Sequence, residues 1–229
     1  MTPFYSDNKR FLVAVDCIIF GFDYRQLKLL LIKRNFQPQK GKWSLVGGFL
    51  EANESLDQSA LRILNNLTGL NDIYLEQLYT YGEMNRDPGE RVLSTAYYAL
   101  INAEDYHLPI NRESSANWFP IEKIPALVFD HNIMVDKAMR RLKRKSLSQP
   151  IGFELLPEKL TIPQLQKLYE AIHQRDLDKR NFRKKILSMG LLKKLEEKQK
   201  SGSRKGAYYY RFDKEKYDDL VSRGFHFEI

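Results

Sequence analysis

Residues Gly48 to Leu70 read GFLEANESLDQSALRILNNLTGL, and the remaining chain is organised around this stretch. Leu56, Ala60, Leu64 and Leu67 recur at helical spacing and predict an amphipathic helix with one apolar face. Gly69 stands where that helix should stop, a place where glycine readily takes the left-handed backbone angles of a C-terminal cap. Just before it, Lys42 to Phe49 (KWSLVGGF) predicts a strand. Its paired Gly47 and Gly48 let the backbone approach a ligand or make a tight turn.

Gly48, Glu54, Arg62, Leu64, Gly69 and Leu70 together resemble the frame of a Nudix box, the loop–helix–loop that holds Mg²⁺ against a diphosphate. The family pattern implies carboxylates at three further positions, which here read Ile63, Asn66 and Leu67. Mg²⁺ requires near-octahedral oxygen ligation, usually from carboxylates, water and substrate phosphates. Ile63 and Leu67 offer no oxygen and Asn66 only a neutral carbonyl, leaving Glu54 and, in the preceding loop, Glu51. A frame kept without its ligands predicts a pocket that binds without hydrolysing, with no catalytic residue, metal or cofactor.

Composition narrows the class. No run approaches the 18 apolar residues of a membrane span, and no charged-then-apolar signal opens the chain, so a cytoplasmic protein is expected. Cys17 is the single cysteine and cannot form an intrachain disulfide, and His107, His131, His173 and His226 have no metal-ligand spacing with it. The net charge of +8 is unevenly spread. Residues 1–135 hold 13 Lys and Arg against 16 Asp and Glu, whereas residues 136–229 hold 24 against 13. A mildly acidic front and a strongly basic back point to two jobs, the second involving a polyanion.

In the front half, Phe11–Phe20 and Leu27–Arg34 read as strands, as do Ile73–Met84 and Arg91–Ile101 around an Asp87-Pro88-Gly89 turn. Trp118-Phe119-Pro120 adds a short extended piece, and a helix runs from Asn132 to about Leu147. This is an α/β (α+β) sandwich. Asp16 interrupts an apolar strand, either to line a pocket or to make a structural hydrogen bond, because a carboxylate is rarely buried without a partner. Trp43 suits either a core position or a flat platform for a base or sugar. Asp130 and His131 either line a pocket or cap the following helix. Asp16, Arg34, Trp43, Gly47, Gly48, Phe49 and Glu51 form the candidate effector site, a few convergent polar groups around aromatic faces.

After a linker at 146–152, Thr161-Ile162-Pro163-Gln164 is a capping-box start with Pro early in the helix. A turn near Asp176 leads to a second helix with Phe182, Ile186 and Met189 inward and Lys179, Arg180, Asn181, Arg183 and Lys184 outward. Arg can take guanine bidentately, Asn can take adenine, and Lys reaches phosphates. Strand, basic tip with Arg204 and Lys205, and strand (Ala207–Phe212) complete a β-hairpin wing. The order is that of a winged helix-turn-helix, giving expected domains of 1–145 for effector and 153–229 for DNA.

Over nearly all of its length the chain resembles the Nudix-related (NrtR-like) transcriptional regulators, on LLIKRNFQPQKGKWSLVGGF, RDPGERVLSTAYYAL, LVFDH and LDKRNFRKKILSMGLL as well as the broken box. The resemblance implies a homodimer on a palindromic double-stranded DNA operator, usually a repressor, released by a small molecule bound in the Nudix-type domain. It points to the arabinose-responsive (AraR) branch, with L-arabinose or another pentose as effector and ADP-ribose as the alternative. Two other classes stay open. One is an active Nudix hydrolase drawing ligands from Glu51, Glu54 and Glu90, the other a metabolic binding protein that touches nucleic acid without selectivity.

Overall fold

The computed structural model describes residues 4, 7–105, 116–153, 155–199 and 206–229. The chain divides into two compact units, Met1–Phe20 with Leu29–Ala99 and Tyr106–Asp136, and Gly21–Lys28 with Leu100–Asp105 and Lys137–Ile229.

A seven-stranded sheet is built from β1 (Leu12–Phe22), β2 (Leu27–Lys33), β3 (Trp43–Ser44), β4 (Val46–Phe49), β5 (Glu76–Tyr81), β6 (Val92–Asn102) and β7 (Ala116–Pro120). Its main path runs β3-β2-β1-β6-β5, with β4 paired to β1 and β7 to β2. β1 is central, so its residues from Val15 onward are buried on both faces and it reads as an apolar run rather than an alternation. The strand expected over 42–49 is split in two, because β3 pairs with β2 while β4 crosses to β1. That switch sets Asp16 directly opposite Gly47 and Val15 opposite Gly48.

Helix α1 (Leu56–Thr68) follows the expected helix closely. A reciprocal capping box between Ser55 and Gln58 starts it, and Gly69 ends it at φ 73°, its N–H donating to the Asn65 carbonyl. The buried face is turned slightly from the expected one. Ser59, Ala60, Ile63 and Leu64 are buried, while Leu56 and Leu67 sit at its margins. Ile63 lies against Gly48, where an added Cβ would be 3.1 Å from the isoleucine side chain.

In the second unit, α2 (His131–Ser148) runs through part of the expected linker, and its residues from Lys137 onward belong here. α3 (Ile162–His173) opens on the Thr161/Gln164 capping box, and α4 (Lys179–Ser188) is capped by Asp178. The turn between them is tied by Glu170, whose carboxylate accepts from Gln166 Nε2 and from the Leu177 N–H at 2.7 and 3.1 Å. β8 (Leu160–Thr161), β9 (Leu192–Gln199) and β10 (Ala207–Phe212) form an antiparallel sheet in the order β8-β10-β9. A last helix, α5 (Lys214–Ser222), brings Tyr217 against Phe212, and the terminal Ile229 N–H reaches the Leu147 carbonyl. The tail therefore packs on its own unit.

Gly69→Ala places a Cβ in left-handed backbone and should destabilise the protein by roughly 1–2 kcal/mol. A urea-unfolding midpoint unchanged from wild type would contradict the capping role.

Candidate effector and nucleic-acid sites

The first unit holds a cleft of about 310 Å³. Of the expected residues, Asp16, Arg34, Gly47, Gly48 and Phe49 line it. Trp43 and Glu51 do not. Trp43 packs edge-on against Phe119 with centroids 4.7 Å apart, and its carbonyl accepts from the Val128 N–H. It is a half-buried packing residue outside the cleft, not a platform within it. Glu51 is exposed and faces Arg62 at 3.2 Å.

The floor of the cleft is a buried polar network. Asp16 is 6% exposed and accepts from Ser94 Oγ at 2.5 Å. Arg86, 8% exposed, grips Asp130 with two hydrogen bonds of 3.0 and 2.7 Å and lies 3.9 Å from Asp16. His131 closes the ring. Its Nδ1 accepts from the Leu45 N–H at 3.1 Å, so the neutral imidazole carries its proton on Nε2, which faces Asp16 Oδ1 at 3.6 Å. Burial holds the His131 pKa below its usual value, against the pull of Asp16 and Asp130. The open question over Asp130 and His131 is resolved: His131 lines the cleft, and the Asp130 carboxylate is occupied by Arg86.

Gly47 is required by this arrangement. A Cβ there would stand 2.1 Å from Asp16 Oδ1 and 3.2 Å from the Val15 carbonyl. The mouth is different in character. Arg34 donates from Nε to the Pro38 carbonyl, and its guanidinium lies 4.3 Å from the Phe36 ring centroid and 5.1 Å from that of Phe129. Phe129 reaches this place with φ 54°, an unusual backbone angle for a bulky residue. Burial lowers the Arg34 pKa, offset by Asp87 and Asp16, but the group stays cationic. Phe36, Arg86 and Phe129 fall in stretches that carry the family resemblance, but nothing in their spacing pointed to the cleft, because loops far apart in the chain bring them in.

The helix of the box does not fit a metal ion. Arg62 binds Glu54 with two bonds of 2.7 and 2.6 Å and also donates to the Phe49 carbonyl. The Arg62 guanidinium holds the Glu54 carboxyl down to about 2. Ile63 is buried against Gly48, and Asn66 points its neutral amide to solvent. Among the described residues no group of three or more His, Cys, Asp or Glu is placed to hold a metal. Glu54 here is a structural clamp.

On α4, Lys179, Arg180, Asn181, Arg183 and Lys184 are all exposed, while Phe182 and Ile186 anchor the opposite face. Met189, expected inward, is only half-buried. Arg183 is partly engaged, donating to the Tyr210 hydroxyl at 3.3 Å. Arg204 and Lys205, expected at the wing tip, lie outside the described residues, as does His107. Behind the tip, Lys194 and Lys198 sit over the Tyr208 ring at 3.7 and 4.4 Å. No helix among the described residues is long and apolar enough to cross a membrane.

The cleft beside a box-like helix and the basic winged helix define a two-part regulator. The NUDIX domain family matches residues 10–142, and the NrtR DNA-binding winged helix domain matches residues 152–212. The ADPR responsive transcriptional repressor NtrR of Acinetobacter baylyi is 35% identical over 217 residues, covering 93% of this chain and 86% of that protein. Shewanella oneidensis NrtR complexed with a 27mer DNA superposes with a TM-score of 0.75 at 30% identity, over 94% of this chain and 97% of that one. The NUDIX domain of the same Shewanella protein complexed with ADP ribose gives 0.54 at 33% identity, over 62% and 94%. The chain belongs to the family of NrtR-type regulators, in which a NUDIX domain precedes a DNA-binding winged helix. It is a transcriptional regulator with a Nudix sensor domain.

Two outcomes test the floor of the cleft. Gly47→Ala should lower unfolding stability by about 1–3 kcal/mol by overpacking, and it should weaken effector binding by displacing Asp16. The second concerns pH. His131 has a folded pKa below its unfolded value of about 6.5, so its contribution is present above that pH and lost as pH falls below it. The urea midpoint of wild type should drop from pH 7.5 to 5.5 by more than that of His131→Asn, and equal drops would exclude His131 as the cause.

Proposed function

We propose that this protein is a repressor whose Nudix-type unit senses ADP-ribose, or a closely similar nucleoside diphosphate sugar, and that the ligand releases it from its operator. The observation that carries this reading is Arg34 held beside Phe36 and Phe129 at the mouth of the cleft, a cation among aromatic faces. Such a mouth offers a charged partner to a diphosphate and a stacking surface to a base. The floor then meets the hydroxyl-rich end of the ligand with Asp16 and His131. A pentose would leave much of the 310 Å³ unfilled, and the relatives named above support ADP-ribose in place of the L-arabinose expected from sequence.

With Ile63, Asn66 and Leu67 in place of carboxylates, the unit binds the ligand without turning it over. The protein acts in the cytoplasm as a homodimer, with one α4 in each of two successive major grooves of a near-palindromic site. Domain limits of 1–145 and 153–229 serve as the working division. Release follows from population shift: the ligand favours the form that does not hold DNA, to the extent that it binds that form more tightly.

The test is fluorescence anisotropy on DNA from upstream of the protein's own coding sequence, titrated with ADP-ribose, L-arabinose and D-xylose. ADP-ribose alone should release the DNA, and Arg34→Ala should need about ten- to a hundredfold more of it, the worth of one charged hydrogen bond. Release by a pentose instead would overturn the nucleotide reading. Hydrolysis of ADP-ribose with Mg²⁺ at about 1 s⁻¹ or faster, the range of ordinary enzymes, would restore the enzyme reading.

A further inference from the structure

The second unit treats its surface cations in two ways. Lys159 pairs with Glu197 at 2.7 Å, Lys193 with Asp213 at 2.8 Å, Arg211 with Glu158 at 3.1 Å and Arg223 with Asp219 at 2.8 Å. Arg140 and Arg144 of α2 are also exposed, as are Arg175 in the turn before α4 and Lys179 and Arg180 at its start. Among the described residues none of these five makes an ion pair with a carboxylate. Exposed lysines elsewhere in the unit, such as Lys167 and Lys214, also lack an ion pair, but these five lie on segments that follow one another in the fold: the end of α2, the turn between α3 and α4, and the start of α4.

Two contacts, made by neighbours of these arginines, tie the segments that carry them. Lys143 Nζ donates to Gln174 Oε1 at 3.0 Å, and Ser146 Oγ lies 3.0 Å from His173 Nε2. The last turns of α2 are thereby fastened to the end of α3, next to Arg175. Burial lowers the His173 pKa, and the nearby charges of Arg175 and Lys143 lower it further, so the junction holds a neutral ring among cations. Arg140 and Arg144 are four residues apart and share one face of α2.

We propose that Arg140 and Arg144, with Arg175, form a second DNA surface that grips the phosphate backbone next to the groove read by α4. The inference rests on the DNA-binding role of this unit and adds a contact outside the residues matched by the winged-helix family, 152–212. The occupant follows from the chemistry. A guanidinium offers a planar fork of donors matched to phosphate oxygens, and a duplex supplies anionic charge at short, regular intervals. Phosphate contacts position a protein on DNA without reading sequence, so this surface should contribute affinity and salt sensitivity but no base preference.

The experiment compares full-length wild type, Arg140→Ala/Arg144→Ala, Arg140→Lys/Arg144→Lys and Arg180→Ala on the operator and on an unrelated duplex, between 50 and 200 mM salt. Each lost phosphate contact should flatten the log–log salt slope by about 0.9, so the double alanine variant should lose nearly two per protomer, about 3.6 for the homodimer proposed above. Its affinity should fall by the same factor on both duplexes, with ADP-ribose binding and thermal midpoint unchanged. The double lysine variant should keep most of the slope, and Arg180→Ala should lose operator preference. An unchanged slope in the double alanine variant, with wild type still selective for the operator, overturns this inference alone. A drop confined to the operator would make the pair base-reading and also overturn it. Absence of operator selectivity in wild type would instead remove the regulator reading on which it rests.

Discussion

The sensor unit depends on one buried carboxylate. Taking Asp16 out of water is unfavourable unless its oxygens are matched by donors or opposite charge. The matching groups come from across the unit: Ser94 from β6, Arg86 from the loop before it, and His131 from the start of α2. Gly47 on β4 adds the missing volume, since no other residue leaves space for the carboxylate. Removing any one of these leaves the others with buried, unmet polarity. The network is therefore both the floor of the cleft and the joint that holds four elements in register.

The box helix shows what a frame can lose. Gly48 and Gly69 serve backbone geometry, and Glu54 with Arg62 ties the loop to the helix through three bonds that reach the Phe49 carbonyl. None of these tasks requires a metal. The three positions that depart from the family pattern are those where it implies ligands, and Ile63 makes an apolar contact with Gly48 instead. A helix can thus keep its caps, its clamp and its packing with no carboxylate at those three positions.

Much of this was legible in the sequence because it is local. Capping at Thr161 and Gly69, the apolar stripe of α3 and the outward cations of α4 all follow from spacing within one or two turns. The cleft was only half legible. Trp43 and Glu51 are near the glycines in sequence, yet a strand alternates its faces, and the switch from β3 to β4 leaves Trp43 outside the cleft, half-buried against Phe119. Arg86 opens one of the stretches that carry the family resemblance, yet nothing in its spacing pointed to a partner. Its partner Asp130 lies 44 residues away, and only the folded sheet brings the two together.

The relatives favour ADP-ribose, the alternative effector, over the expected pentose, and charge shows why composition is a poor guide to this choice. The mildly acidic front half would by itself disfavour a diphosphate, but net charge averages over a surface on which charges more than about 10 Å apart barely feel one another at ordinary salt. What a ligand meets is the local arrangement. At the mouth, Arg34 is partly desolvated between two phenyl rings, where its attraction for an anion is screened far less than in water. Arg86 is not available in the same way, because Asp130 and Asp16 already neutralise it. Under the ADP-ribose reading, one free guanidinium and the backbone around Gly47 and Gly48 must meet the diphosphate. That division of labour suits reversible binding, since nothing in it draws off a leaving group.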